Sequence, residues 1–222
     1  MEKYVSGNVA TNLYWLGRYL ERTTITLREI EIAYDRVIDV DKDAGVKMYE
    51  KFDIELKYTN AYNFLNEAIF GDHSANLLTI LTNARENAII CRHLLDSEAF
   101  GAIIALHSLF KDTYNNHLEV DYKCMDYAQT LIGEIYNARS HREHQELSDS
   151  FFRIGKITEE ADYRIRRDKS DPIIKSIYIE IDALYQRLDE GHELLEGAHD
   201  EKKDVDDLLD ELNSRMDNVI IG

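Results

Sequence analysis

The stretch Trp15-Leu16-Gly17-Arg18-Tyr19-Leu20-Glu21-Arg22 sets charges beside an apolar helical stripe, and it returns in altered form as Phe152-Arg153-Ile154-Gly155-Lys156-Ile157-Thr158-Glu159-Glu160. Aligning the two pairs Leu16 with Ile154, Gly17 with Gly155, Arg18 with Lys156, Glu21 with Glu159 and Arg28 with Arg166, all at one constant offset. The alignment implies a duplicated helix carrying charges next to its core. The first copy steps through Leu13, Leu16, Leu20, Leu27, Ile30, Tyr34 and Val37 by threes and fours, as a core-facing stripe does.

Composition points the same way. One proline, Pro172, and ten glycines in 222 residues leave few turn signals between long runs of helix-forming Leu, Glu, Lys, Arg and Ala. The expected class is all-α, a single multi-helix bundle over residues 1–222 in which the helix near 13–40 is related to the helix near 147–168. The repeat halves would be roughly 1–116 and 117–200, followed by an acidic terminal helix at 201–217. A chain of this length buries enough apolar surface to need no disulfide or metal staple.

Further helices are expected from about Tyr49 to Phe70 and from an N-cap at Ser74 through Leu77, Leu81, Ala84, Ala88, Cys91 and Leu95. Another runs from Ser97 to Asn115, and the next from Tyr122 to about Arg139. Asp171-Pro172 opens one more, with Ile173, Ile177, Ile181, Leu184 and Leu188 inside.

The net charge of −17 disfavours nucleic acid or an anionic membrane as partner, because phosphate binding needs clustered Lys and Arg. Neither a membrane span nor a signal peptide is visible, and Cys91 and Cys124 lack a paired spacing. A cytoplasmic protein is expected, with no cofactor; the oligomeric state stays open.

Candidate chemistry clusters on three helices. Arg18 and Arg22 share a face with Glu21 between them, and Lys156 and Glu159 repeat the basic and acidic positions. A surface salt-bridge ladder is the plainest use of such a pattern. On the third helix Arg85 and Arg92 flank one side of the apolar seam, Asn87 flanks the other, and Glu86 points away. These arginines would either pair with Glu21 and Glu159 inside the bundle or grip a peptide or small carboxylate or phosphate ligand. Glu21 and Glu159 are candidate general bases should the chain be an enzyme. His192, Glu196 and His199 share a helical face and raise the alternative of a metal-binding bundle, as, less strongly, do His141 and His144. Solvent-facing histidines on an acidic surface explain both sets equally.

Three motifs, Leu-Gly-Arg-Tyr-Leu-Glu-Arg, Ala-Arg-Glu-Asn-Ala with Ser97-Glu98 downstream, and Gly-Lys-x-x-Glu-x-Ala-Asp, occur in this order between residues 13 and 167. In them the chain resembles the Alpha-E family of bacterial helical proteins. The resemblance implies an all-helical fold and association with ATP-grasp peptide-ligase-like proteins, hence a binding or accessory part in peptide synthesis or modification. The alternative is a stand-alone enzyme acting on a carboxylate-bearing peptide. Its motif positions fall here on Arg18, Glu21, Arg22, Arg85, Glu86, Asn87, Glu98, Glu159 and Asp162. Lys156 and Glu160 stand where the second motif would carry arginines.

Overall fold

The computed structural model describes residues 5–140, 147–188 and 203–220. Among them are nine α-helices, one short 3-10 turn and no strand. In chain order the helices are α1 (Gly7–Asp39), α2 (Ala44–Glu50), α3 (Ala61–Phe70), α4 (Leu77–Ile90), α5 (Ser97–Asn115), α6 (Tyr122–Ser140), α7 (Leu147–Arg167), α8 (Pro172–Leu188) and α9 (Val205–Ile220).

They form two compact units whose boundary falls inside α1, between Glu21 and Arg22. The first unit takes the described residues up to Glu21 and those from 147 onward; the second takes residues 22–140. Neither unit coincides with the halves 1–116 and 117–200 that the repeat suggests.

In the first unit, Ile154, Ile157, Ala161 and Ile165 of α7 meet Ile174, Ile177, Ile181 and Tyr185 of α8 and Leu208, Leu209 and Leu212 of α9, with Tyr14 of α1 in the same cluster. Spacings of three and four put these side chains on one face of each helix, and their burial supplies most of the driving force for packing. Asp171 starts α8: one carboxylate oxygen accepts from Ile173 N at 2.9 Å and the other from Arg164 Nη1 at 2.6 Å. Pro172 follows at the first helical position, where its missing N–H costs nothing. Ile173 is 44% exposed, so the apolar face of α8 begins one residue later, at Ile174.

In the second unit, Leu77, Ile80, Leu81, Ala84 and Ala88 of α4 and Ala99, Ile103, Leu106 and Phe110 of α5 are buried, as are Leu27 and Ile30 of α1. The continuous helix expected over 49–70 is two short ones. Asp53 adopts a left-handed φ of 57° after α2, and the chain runs without regular structure until Asn60 caps α3. Asp tolerates that backbone because its short side chain bonds locally. Asn60 Oδ1 accepts from Asn63 N at 2.8 Å while Asn63 Oδ1 accepts from Thr59 N at 3.1 Å, a reciprocal cap.

The cap of α4 is Asn76, not Ser74. Its Oδ1 accepts from Thr79 N at 2.8 Å, and its amide nitrogen donates to the Gly71 and His73 carbonyls. One buried amide thus donates to two carbonyls after one helix while accepting at the start of the next; a serine hydroxyl, with one proton, could make only one of those two donations. No helix among the described residues is long and apolar enough to cross a membrane.

Candidate functional site: a glycine crossing with exchanged ion pairs

The first unit brings the two copies of the opening motif face to face. A Cβ on Gly17 would overlap the Phe152 carbonyl oxygen, and a Cβ on Gly155 would overlap the Tyr14 carbonyl oxygen. Phe152 stands three residues before Gly155 just as Tyr14 stands three before Gly17, so the contact is reciprocal. Each helix gives up the helical advantage of alanine, about 1 kcal/mol, to let the other's backbone approach.

This close approach fixes where the neighbouring charges go. Arg18, next to Gly17, donates its Nε to Oε2 of Glu159, one turn beyond Gly155, at 2.8 Å, with the two side chains only 8% and 7% exposed. In the mirror position, Lys156 Nζ lies 3.7 Å from Glu21 Oε2, with exposures of 25% and 12%. Basic and acidic positions of one motif copy therefore meet the acidic and basic positions of the other.

The Arg18 arm is built out further. Its Nη2 reaches Asp162 Oδ2 at 3.4 Å, its Nη1 donates to the Tyr14 hydroxyl at 3.3 Å, and the guanidinium carbon lies 5.4 Å from the Trp15 ring centroid. Asp162 also accepts from Arg166 Nε at 2.7 Å, which makes a chain of alternating sign from Glu159 through Arg18 and Asp162 to Arg166. A buried guanidinium needs such surroundings, because an isolated buried ion costs several kcal/mol.

Burial by itself pulls the Arg18 guanidinium toward losing its proton, but the Glu159 carboxylate and the other polar neighbours outweigh it and hold Arg18 above its ordinary range. Tyr14 is also raised. Burial is the main cause, and the Arg18 cation only partly opposes it.

Of the residues singled out in sequence, Arg18, Glu21, Lys156, Glu159 and Asp162 come together here. Arg85, Glu86, Asn87, Arg92 and Glu98 lie in the second unit, as does Arg22. Arg85 pairs with its neighbour Glu86, Arg92 lies 4.4 Å from the Phe100 ring centroid, and Asn87 donates to the Asn83 carbonyl. Of the two readings of Arg85 and Arg92, the one that pairs them with Glu21 and Glu159 gives way to Lys156 and Arg18, which meet those glutamates because the glycine contact sets α7 against α1. Glu86, expected to point away, reaches back to Arg85 along the helix surface. Glu98 is exposed in the first turn of α5, where a carboxylate complements the helix dipole.

Glu160, at the place of Arg22, binds Arg164 within its own helix. The part of Tyr14 and Trp15 was not anticipated. The spacing of Tyr14 four residues before Arg18 is the signal that could have shown it. His141, His144, His192, Glu196 and His199 lie outside the described residues; among the described ones no group of three or more His, Cys, Asp or Glu side chains could hold a metal ion.

An all-helical domain organised around a crossing of two helices, each pairing a basic residue with a glutamate of the other, is the class these features define. The chain belongs to the Alpha-E family, described as a predicted alpha-helical domain with a conserved ER motif, whose model matches residues 5–170. No match was found among curated proteins or among solved structures.

Proposed function

We propose that this Alpha-E chain is an accessory, non-catalytic partner in an ATP-grasp-linked cytoplasmic system for peptide synthesis or modification. The association itself comes from the family resemblance. The observation that favours an accessory part is the burial of Arg18 and Glu159 in mutual contact. Their ionic groups are spent on joining α1 to α7, and a general base must instead reach a substrate proton. The reciprocal glycine contacts and exchanged pairs also support an origin of the two motifs by duplication of one helix.

Coexpression with an ATP-grasp ligase-like protein, followed by size-exclusion chromatography with and without ATP, tests the reading. A stoichiometric complex is expected. A chain that elutes alone under every nucleotide condition would reject it.

The enzymatic alternative draws on one feature, the looser Glu21–Lys156 pair, whose lysine is a quarter exposed. If Glu21 were a base, Glu21→Gln would abolish turnover of a carboxylate-bearing peptide and leave the unfolding midpoint almost unchanged.

A further inference from the structure

Apart from anything the ATP-grasp reading requires, the second unit holds a surface cavity between α1, α3 and α6, lined by Glu31, Tyr34, Asp35, Leu65, Tyr122 and Met125. Glu31, Tyr34 and Asp35 are spaced by three and four along α1, and Tyr122, Met125 and Gln129 likewise along α6, so each set shares one helix face. Leu65 and Met125 are buried at the base of the cavity, while Tyr122, 68% exposed, stands at its mouth. Gln129 Nε2 donates to Glu31 Oε2 at 3.2 Å, which ties α6 to α1 beside the cavity and leaves Glu31 Oε1 as the open acceptor.

Two facts define what fits. The surface of the walls is almost wholly apolar although two of the lining residues are acids, so the carboxylate oxygens lie off the walls, at the margin. Among the described residues, moreover, neither Glu31 nor Asp35 is in an ion pair. Burial is the main cause that raises the Glu31 carboxyl; the Gln129 bond opposes it, and the charges of Asp35 and Asp126 add to it. A cation from outside would relieve that crowding of negative charge.

A side chain with an apolar stem and a cationic end answers both facts, and lysine and arginine are built that way. Gln129 already occupies Oε2 of Glu31, which disfavours a two-pronged guanidinium contact there. An ammonium needs only single acceptors and has three donors to share between Glu31 and Asp35, one turn apart on α1. With 43 acidic and 26 basic residues the chain cannot neutralise all its own carboxylates. We propose that this cavity is a docking point for a lysine side chain of a partner protein, with the methylenes between Tyr34 and Tyr122 and the ammonium at Glu31 and Asp35. The Tyr122 ring at the mouth offers a further face that attracts the cation.

Methyl NMR of the full chain labelled at methionine tests this. The Met125 signal is identified by its loss in Met125→Leu, and buried Met48 of α2 is the internal control. At matched ionic strength the probes are Nα-acetyl-lysine N-methylamide, its norleucine analogue, which keeps the stem and lacks the ammonium, its arginine analogue, and free n-butylammonium. Saturable movement of the Met125 methyl is expected with the lysine amide, at an affinity about fivefold above that of the norleucine amide, as one partly exposed charge contact implies. Glu31→Gln and Asp35→Asn should each narrow that ratio, and the double variant should abolish it. Equal binding of the lysine and norleucine amides would overturn the proposal in the unaltered chain, as would movement of Met48 equal to that of Met125. A ratio unchanged in both variants would overturn it too. Tighter binding of the arginine amide would overturn the choice of lysine, and binding of n-butylammonium with none of the lysine amide would replace the partner protein by a free amine.

Discussion

The two arms of the glycine crossing occupy equivalent positions and yet differ in kind. On one side Arg18 is buried, touches two carboxylates and a phenol, and lies over an indole; on the other Lys156 meets Glu21 at 3.7 Å with part of its stem in solvent. The difference follows from the cation. A guanidinium offers five donors in a plane and bonds several acceptors at once while stacking on a ring, whereas an ammonium is a compact, strongly hydrated charge. Equivalent backbone geometry therefore yields a dry, multiply bonded arm and a wetter, looser arm. The first should act as a structural lock and the second as a weaker, half-buried contact.

Breaking the dry arm should have the largest effect. Glu159→Ala leaves Arg18 buried against Asp162 at 3.4 Å without its closest carboxylate, and removing one partner of a buried pair costs about 3 kcal/mol or more. Urea unfolding followed by the fluorescence of Trp15, the chain's only tryptophan, reads this directly because the indole lies against Arg18. The double variant Arg18→Met, Glu159→Leu should lose less than Glu159→Ala alone, since it removes both charges and keeps the volume. A larger loss in the double variant would mean that the pair itself, rather than the stranded charge, carries the stability. Glu21→Gln, the matching change in the wet arm, should cost under about 1 kcal/mol; equal losses at Glu21 and Glu159 would abolish the distinction between the arms.

The contact that both arms share comes next in size. Gly155→Ala places a methyl group on the Tyr14 carbonyl oxygen, which is backbone and cannot swing aside, so the helices must separate. Overpacking of this kind costs about 1–3 kcal/mol, against which the better helix propensity of alanine returns about 1 kcal/mol. With the clash at the upper end of that range, a net loss of about 2 kcal/mol in the same Trp15 assay is expected. Gly101 makes the control: a Cβ there meets nothing within 4 Å, so Gly101→Ala should stabilise α5 slightly.

The sequence made some of this legible. The constant offset between the motifs identifies Gly17 with Gly155 and Arg18 with Lys156, and periodicity puts each on the border of an apolar face. Periodicity does not say which helix lies opposite, and so Arg85 and Arg92 were as eligible as Arg18 and Lys156 to meet the two glutamates. The choice is made by a steric fact, two glycines admitting two backbones, whose signal in sequence is only a glycine where alanine would serve the helix better. The break between α2 and α3 was hidden for a related reason. Tyr49, Phe52 and Leu56 keep a helix-like spacing, while the left-handed Asp53 that ends the regular geometry carries no mark of it.

The last prediction asks whether the weak arm is weak because of its cation or because of its surroundings. Lys156→Arg gives the second motif the residue type of the first at unchanged backbone geometry. If the cation decides, the planar guanidinium should close the 3.7 Å gap to Glu21 and gain a second contact with its carboxylate, raising stability by about 0.5 kcal/mol and making Glu21→Gln more costly in the Lys156→Arg background. A double-mutant cycle on Glu21 and position 156, with lysine and arginine compared, measures that coupling free of other effects of the substitution. If the surroundings decide, the coupling stays unchanged. Arg18 owes its strength to Tyr14, Trp15 and Asp162, whereas Phe152 and Arg153 stand at the offset-matched places of Tyr14 and Trp15 and Thr24 at that of Asp162, with neither a phenol, an indole nor a carboxylate among them. Arg153 already binds Glu180 at 2.7 Å and so adds no aromatic face for a guanidinium to stack on. The gain from Lys156→Arg should for that reason stay well below the loss from Glu159→Ala.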